Sequence, residues 1–157
     1  FIPIFKKYYN NISSGDDSVN IKYNSHLNEG SFKEIINSSI SKDRFVQYTT
    51  KGIHKDDLEF LIDGNKIKNF GSQGQQKSFL VSLKLAQFEY YKDQLGSSPI
   101  VLLDDIFDKL DQSRVSQIVS ILEKNEFGQI FITDTHRERV EDALKDSSNK
   151  EEIFNIE

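Results

Sequence analysis

The second half of the chain alternates between helix and buried strand, and this alternation narrows the fold more than any other feature. A helix is predicted from residue 74 to about 95, with Phe79, Leu83, Ala86 and Tyr90 stepping by four, three and four onto one face. Gly96-Ser97-Ser98-Pro99 breaks it. "PIVLLDD" is then a continuous apolar run of the kind that forms a fully buried strand. Residues 112–124 return to helical spacing, with Val115, Ile118, Val119 and Leu122 inward. "GQIFITDT" reads as a second buried strand and 137–145 as a last helix, while "EEIFNIE" could add an edge strand. Helix, strand, helix, strand in that order predicts an α/β fold with a largely parallel sheet flanked by helices.

The first half is organised differently. "FIPIFKKYYNNISSGDD" reads as the tail of a helix with Phe5, Tyr8 and Tyr9 on one face. "SVNIKYNS" alternates Val19, Ile21 and Tyr23 with polar residues, the pattern of a half-buried strand. Phe32, Ile35, Ile36 and Ile40 have helical spacing, and Ser31 with Glu34 fits a capping box. "RFVQYTTKGIHKDDLEFLIDGNKIKNF" reads as two or three short strands around turns at Gly52 and Asp63-Gly64.

Composition removes several classes of function. The 157 residues suffice for one domain with a real core, and 12 Phe and 6 Tyr make that core aromatic-rich. With no cysteine, disulfides, thiolate catalysis and zinc–thiolate sites are excluded. A formal net charge of −5 argues against a broadly basic nucleic-acid surface. Seven lysines (Lys51, Lys55, Lys66, Lys68, Lys77, Lys84 and Lys92) punctuate the strand region and the long helix, where a solvated face competes with a phosphate track. No apolar run approaches the roughly 18 residues of a membrane span, and no signal peptide opens the chain, so a cytoplasmic protein is expected. The chain opens on Phe1 and holds no methionine, so it is expected to be part of a longer polypeptide.

Two stretches carry chemistry. In "PIVLLDDIFDKLD", Asp104 is the first residue past the apolar run, at the carboxyl edge where α/β sheets bind ligands. A hard oxygen there suits Mg²⁺, and Asp105 beside it is free to orient an attacking water. An acidic strand end that aids solubility or caps a helix is the competing reading. In "GSQGQQKS", Ser72 with Gln75 fits a Ser-x-x-Gln capping box, which is a sufficient structural account of the serine. The same helix start offers free N–H groups, a hydroxyl and a closely approachable glycine, which together suit a phosphate. A cap does not require Gly74, whose place in a first turn lowers helix stability.

Taken in order, a Ser-x-Gly-Gln helix start, a strand ending Leu-Leu-Asp-Asp, then Asp-x-Leu-Asp and a strand ending in Thr resemble an ABC-type ATPase head. The resemblance implies a signature motif at 71–76 (Ser72, Gln73, Gly74 and Gln75), a Walker B strand at 100–105 and a D-loop at 108–111. It places Asp104 on magnesium, Asp105 where most relatives carry a catalytic glutamate, and Asp108 and Asp111 at a dimer interface. "YTTKGIHKDDLEFLIDG" and "GSQGQQKSFLVSLKLAQ" narrow it further. They resemble the RecF family of bacterial recombination mediators, over roughly residues 19–145, with Ile53 and Lys55 standing where that family has proline and arginine. His54 is either part of a functional surface or an ordinary turn histidine.

One departure concerns the switch region. Most such heads have a histidine directly after the strand's threonine; here Asp134 follows Thr133, and His136 lies three residues past it. Asp134, Thr135 or His136 takes that catalytic place, or His136 simply begins the last helix. A second departure is that no Gly-x-x-x-x-Gly-Lys-Ser/Thr phosphate loop occurs anywhere in the chain.

On the resemblance, residues 1–14 are the tail of a helical lobe and 15–157 the C-terminal part of the head. The intact protein is expected to bind ATP and Mg²⁺ at composite sites of an ATP-dependent homodimer, to hold double-stranded DNA at gapped junctions, and to work with RecO- and RecR-like mediators near the nucleoid. Alone, this chain is expected neither to bind ATP appreciably nor to hydrolyse it. A chromosome-maintenance or break-repair ATPase of the same superfamily is a rival reading, but it calls for long heptads that the upstream residues lack. A non-enzymatic interaction module is the other rival.

Overall fold

A computed structural model describes residues 1–13, 15–124, 127–145 and 152–154. The chain divides into two compact units, one of residues 1–17 with 71–157 and one of residues 18–70.

The first unit is built on two packed helices. Helix α1 (Ile2–Ser13) buries Phe5, Tyr8, Tyr9 and Ile12, the face that its aromatic spacing predicts. It lies against α4 (Gln73–Leu95). The Phe5 and Phe79 rings sit 4.6 Å apart, and Tyr9 meets Phe79 edge-on at 6.1 Å. Two fully buried serines on α4, Ser78 and Ser82, present little bulk, and Ser82 donates its hydroxyl to the Ser78 carbonyl at 2.7 Å. The Tyr8 hydroxyl donates to Glu89 at 2.6 Å; burial, reinforced by that carboxylate, raises its pKa above the ordinary tyrosine value.

The buried face of α4 differs from the predicted one. Phe79 and Ala86 are inside, but so are Val81, Leu85 and Phe88, whereas Leu83 is half-buried and Tyr90 is exposed. The helix packs along two stripes rather than one, so a single run of i, i+4, i+7 positions does not capture it. Gly96 closes α4 in the left-handed conformation, φ 65°, its N–H donating to the Lys92 carbonyl.

Strand β4 (Val101–Asp104) pairs in parallel with β5 (Ile130–Thr133), from Val101↔Ile130 to Asp104↔Thr133. Between them runs α5 (Gln112–Lys124), and α6 (Arg137–Leu144) follows β5. This is the parallel α/β arrangement that the alternation predicts. The strands are not fully buried, however. Val101 and Leu103 point into the core, while Leu102 is 73% and Phe131 48% exposed. Side chains alternate across a strand, and among the described residues only one face of this two-stranded pair is covered. Residues 152–154 carry no regular structure, and the rest of the expected edge strand at 151–157 lies outside the described residues.

The second unit is an antiparallel meander with a helix. Strand β1 (Val19–Asn24) pairs with β2 (Asp57–Ile62), and β2 with the short β3 (Asn65–Lys66). Asp63 and Gly64, at φ 48° and 77°, turn the β2–β3 hairpin. Helix α2 (Phe32–Val46) opens with the expected capping box, complete in both directions between Ser31 and Glu34. A four-residue turn, α3 (Ile67–Phe70), ends the unit.

The strand expected around "RFVQY" is not one. Arg44, Phe45 and Val46 finish α2, and Gln47 stops the helix at φ 63°. Asp43 holds the following loop back on the helix, accepting from the Thr50 N–H at 2.9 Å and its hydroxyl at 2.6 Å. The well-capped helix simply runs through a stretch whose residues also favour strand, and Phe45 is left 87% exposed. No described helix is long and apolar enough to cross a membrane.

Candidate functional site

The first turn of α4 is organised by its own side chains. Ser72 is the N-cap: its Oγ accepts from the Gln75 N–H at 3.2 Å, and Gln75 Oε1 accepts from the Ser72 N–H at 2.8 Å. Gln75 is fixed at its other end, where Nε2 donates to Asp17 at 3.1 Å, and Asp17 also accepts from the Tyr9 hydroxyl at 3.0 Å. Gln76 returns to the Gly71 carbonyl at 2.8 Å. Two of the amides in "GSQGQQ" are therefore structural, and the serine is a true cap. Yet a cap leaves much open. The N–H groups of Gln73 and Gly74 have no partner among the described residues. The exposed Ser72 hydroxyl, an acceptor in its cap bond, keeps its own proton to donate. Ser72→Ala should lower the stability of this chain by about 1 kcal/mol, read as a shifted denaturation midpoint.

Gly74 sits beside the loop after β4 and the start of α5. A Cβ there would lie 2.4 Å from Arg114 Nη1 and 3.6 Å from the Lys109 carbonyl oxygen. The first is the movable tip of a side chain and the second an ordinary contact distance, so packing within the unit does not by itself demand glycine.

That loop, residues 105–111, fans its carboxylates outward by burying what lies between them. Ile106 and Phe107 are 4% and 1% exposed, anchoring the loop in the core between Asp105 and Asp108. Asp104 Oδ1 takes a short hydrogen bond from the Thr133 hydroxyl across the parallel pair. Asp105 extends the ladder, its N–H donating to the Thr133 carbonyl at 2.9 Å, and its φ of 49° is left-handed. Lys109 repeats that conformation at φ 60°. Two non-glycine residues with positive φ within five positions mark a strained loop. Lys77, in the second turn of α4, donates to the Asp105 carbonyl at 2.6 Å. Asp111 caps α5 by accepting from the Arg114 N–H at 2.9 Å, and its other oxygen faces Arg114 Nε at 3.5 Å.

The segment after β5 commits Asp134 to structure. Its side chain is fully enclosed, accepting from the His136 N–H at 2.7 Å and facing Arg139 Nη1 at 3.5 Å. Arg139 also stands 3.9 Å from Asp108, tying this segment to the loop after β4. His136 occupies the N-cap position of α6 with its ring largely in solvent, Nδ1 against the Thr135 hydroxyl at 2.9 Å.

The fold thus gathers Asp104, Asp105 and Asp108 at the carboxyl edge of β4 and sets Gly74 against the loop that carries them. Thr133, the strand end that the sequence marks, belongs to this edge too, together with Lys77, Arg114 and Arg139, which no local pattern assigns to it. Among the described residues no three histidine or carboxylate side chains converge on one metal position. A single strand-end carboxylate with one oxygen already bonded matches Mg²⁺, which keeps its waters and takes phosphate oxygens rather than a protein cage.

A parallel pair ending in adjacent carboxylates, followed by an acidic loop and preceded by a long capped helix, has the fold of part of an ABC-type ATPase head. No protein-family model matches the chain. A solved structure described as the recombination mediator protein RecF-ATPrS in the RecFOR pathway superposes with a TM-score of 0.66 at 25% identity, over 86% of this chain and 38% of that one. The corresponding RecF-ATP structure gives 0.64 at 23% identity, which bears on the fold alone. The chain is 53% identical over 156 residues to the DNA replication and repair protein RecF of Flavobacterium johnsoniae, covering 99% of this chain and 44% of that protein. The RecF of Bacteroides thetaiotaomicron is 45% identical over all 157 residues, 42% of its length. The chain belongs to the RecF family and spans less than half the length of these relatives.

Proposed function

We propose that the chain supplies one side of a composite ATP site in a RecF-like DNA-repair ATPase. The first turn of α4 carries the reading: two amides without partners and a hydroxyl with a proton to give, in a chain with no phosphate loop of its own. Such a terminus suits the γ-phosphate of a nucleotide held elsewhere. Ser72, Gln73 and Gly74 would meet ATP bound by a second copy of the protein, and Gln75 would hold Ser72 in place. ATP would then join two heads, with Asp108 facing the seam and Asp111 holding the start of α5.

The chemistry lies at the carboxyl edge of β4, beside the same helix start. Asp104, steadied by Thr133, would hold Mg²⁺ through a water, and the ion would neutralise charge on the β- and γ-phosphates. Asp105 would orient a water in line with the γ-phosphorus and take up its proton as the bond to the β-bridging oxygen breaks. His136, in solvent beside this edge, is the candidate for a switch contact, since Asp134 is enclosed. Asp105 is one methylene shorter than the glutamate of most relatives, which fits slow turnover and a timed clamp. By family membership, the clamp would close on double-stranded DNA at gaps and act with RecO- and RecR-like partners to load recombinase.

Subunit mixing tests the composite site. In the full-length protein, Ser72→Arg and Asp105→Asn each inactivate every site of a homodimer. Mixed dimers contain one site with both lesions and one with neither. Mixing the two inactive variants should therefore restore a substantial fraction of ATP turnover. No recovery, with mixed dimers shown to form, would mean that signature and carboxylates do not meet across subunits.

A further inference from the structure

The α4 helix offers its first turn to solvent and uses its second turn within its own unit. Lys77 Nζ donates to the main-chain carbonyl of Asp105 at 2.6 Å, across 28 residues of sequence. The same residue is held at its other end, its N–H donating to the Thr133 carbonyl at 2.9 Å. Between these two bonds its φ is 49°, a conformation that a residue with a Cβ rarely keeps unless its surroundings impose it. Sheet pairing fixes the nitrogen end of the residue. The carbonyl end is held by Lys77, supplemented among the described residues only by a long 3.4 Å contact from the Asp108 N–H. Because φ and ψ at Asp105 decide where its Cβ points, the Lys77 bond helps set the direction of the Asp105 carboxylate.

We infer that Lys77 is a positioning residue for ATP hydrolysis, acting through the Asp105 backbone rather than touching nucleotide. The inference rests on the proposed role of Asp105 in orienting the attacking water. It also joins the two halves of the site. Ser72, which would meet a phosphate, and Lys77, which holds Asp105, lie on one rigid helix about 7.5 Å apart along its axis. Moving that helix moves both.

The experiment is steady-state ATP hydrolysis and fluorescent-ATP binding by the full-length protein carrying Lys77→Met, Lys77→Arg or Asp105→Asn. Lys77→Met should lower kcat roughly 10- to 100-fold, the scale of an approximately 1 Å misplacement of a reacting group. Its KM and nucleotide affinity should stay within about twofold, because no contact to ATP is lost. Lys77→Arg, which can still donate to a carbonyl, should recover most of the rate. Were Lys77→Met not to fold, Lys77→Gln, too short to reach the carbonyl in the same pose, carries the same expectation. A wild-type kcat in the Met or Gln variant overturns the inference, as does an equal loss of affinity and rate. A failure of Arg to restore the rate also overturns it. If Asp105→Asn hydrolyses ATP normally, the proposed function of Asp105 fails and the inference with it; if Asp105→Asn is inactive while Lys77→Met is not, only the role of Lys77 fails.

Discussion

Asp105→Asn should reduce ATP turnover by the full-length protein roughly 10²- to 10⁴-fold, the usual contribution of a positioned proton acceptor, while ATP still binds. Asparagine keeps the shape and can adopt the left-handed backbone that Asp105 shows at φ 49°. It cannot take a proton from water. The change therefore separates a chemical role from the bland alternative, an acidic strand end kept for solubility, which predicts unchanged turnover. Asp104→Asn makes a useful contrast. Asp104, held by the Thr133 hydroxyl, is the carboxylate proposed for Mg²⁺, so an amide there should first raise the magnesium concentration needed and lower the rate as a consequence. Measuring both variants across a magnesium titration, with and without duplex DNA, assigns the two neighbouring carboxylates. A rate lost equally in both, with no change in magnesium dependence for Asp104→Asn, would mean that the division of labour between them is wrong.

The site's legibility in the sequence follows the range of the interactions that build it. Ser31 with Glu34 and Ser72 with Gln75 were readable because a capping box spans only three residues. The strand ends at Asp104 and Thr133 were readable because apolar runs stop there. Lys77 on Asp105 and Arg114 against Gly74 are contacts across 28 and 40 residues, and nothing near either partner announces them. Gly74 shows the consequence. From the sequence its smallness points to a ligand; the structure adds Arg114 as a neighbour within its own unit, which does not by itself require glycine. The misread strand at "RFVQY" has the same origin. Local preference favoured strand, but the tether from Asp43 to Thr50 and the capped helix before it decided otherwise. Burial of Leu102 and Phe131 was overestimated because an apolar run shows that a strand is hydrophobic, not how many layers cover it.

The largest stability effect should come from Phe107, which gives the loop of carboxylates its shape. Phe107→Ala should destabilise this chain by about 3–5 kcal/mol, the range for deleting a buried aromatic ring. Its ring is 1% exposed, and no solvent-side rearrangement can replace it without opening a cavity. Phe45 supplies the control. At 87% exposed, Phe45→Ala should change stability by no more than about 0.5 kcal/mol in either direction. Urea denaturation of the three chains, followed by fluorescence and far-UV dichroism, reads both values. Comparable losses in the two variants would contradict the burial pattern on which the site has been built. The functional corollary is sharper. Phe107 stands between Asp105 and Asp108 in a loop already holding two residues at positive φ, so its removal frees the carboxylates to swing. In the full-length protein at a temperature where Phe107→Ala remains folded, turnover should fall by more than the small unfolded fraction can explain. A folded Phe107→Ala protein with normal turnover would show that the edge of β4 holds its carboxylates without this anchor, through Thr133 and Lys77 alone.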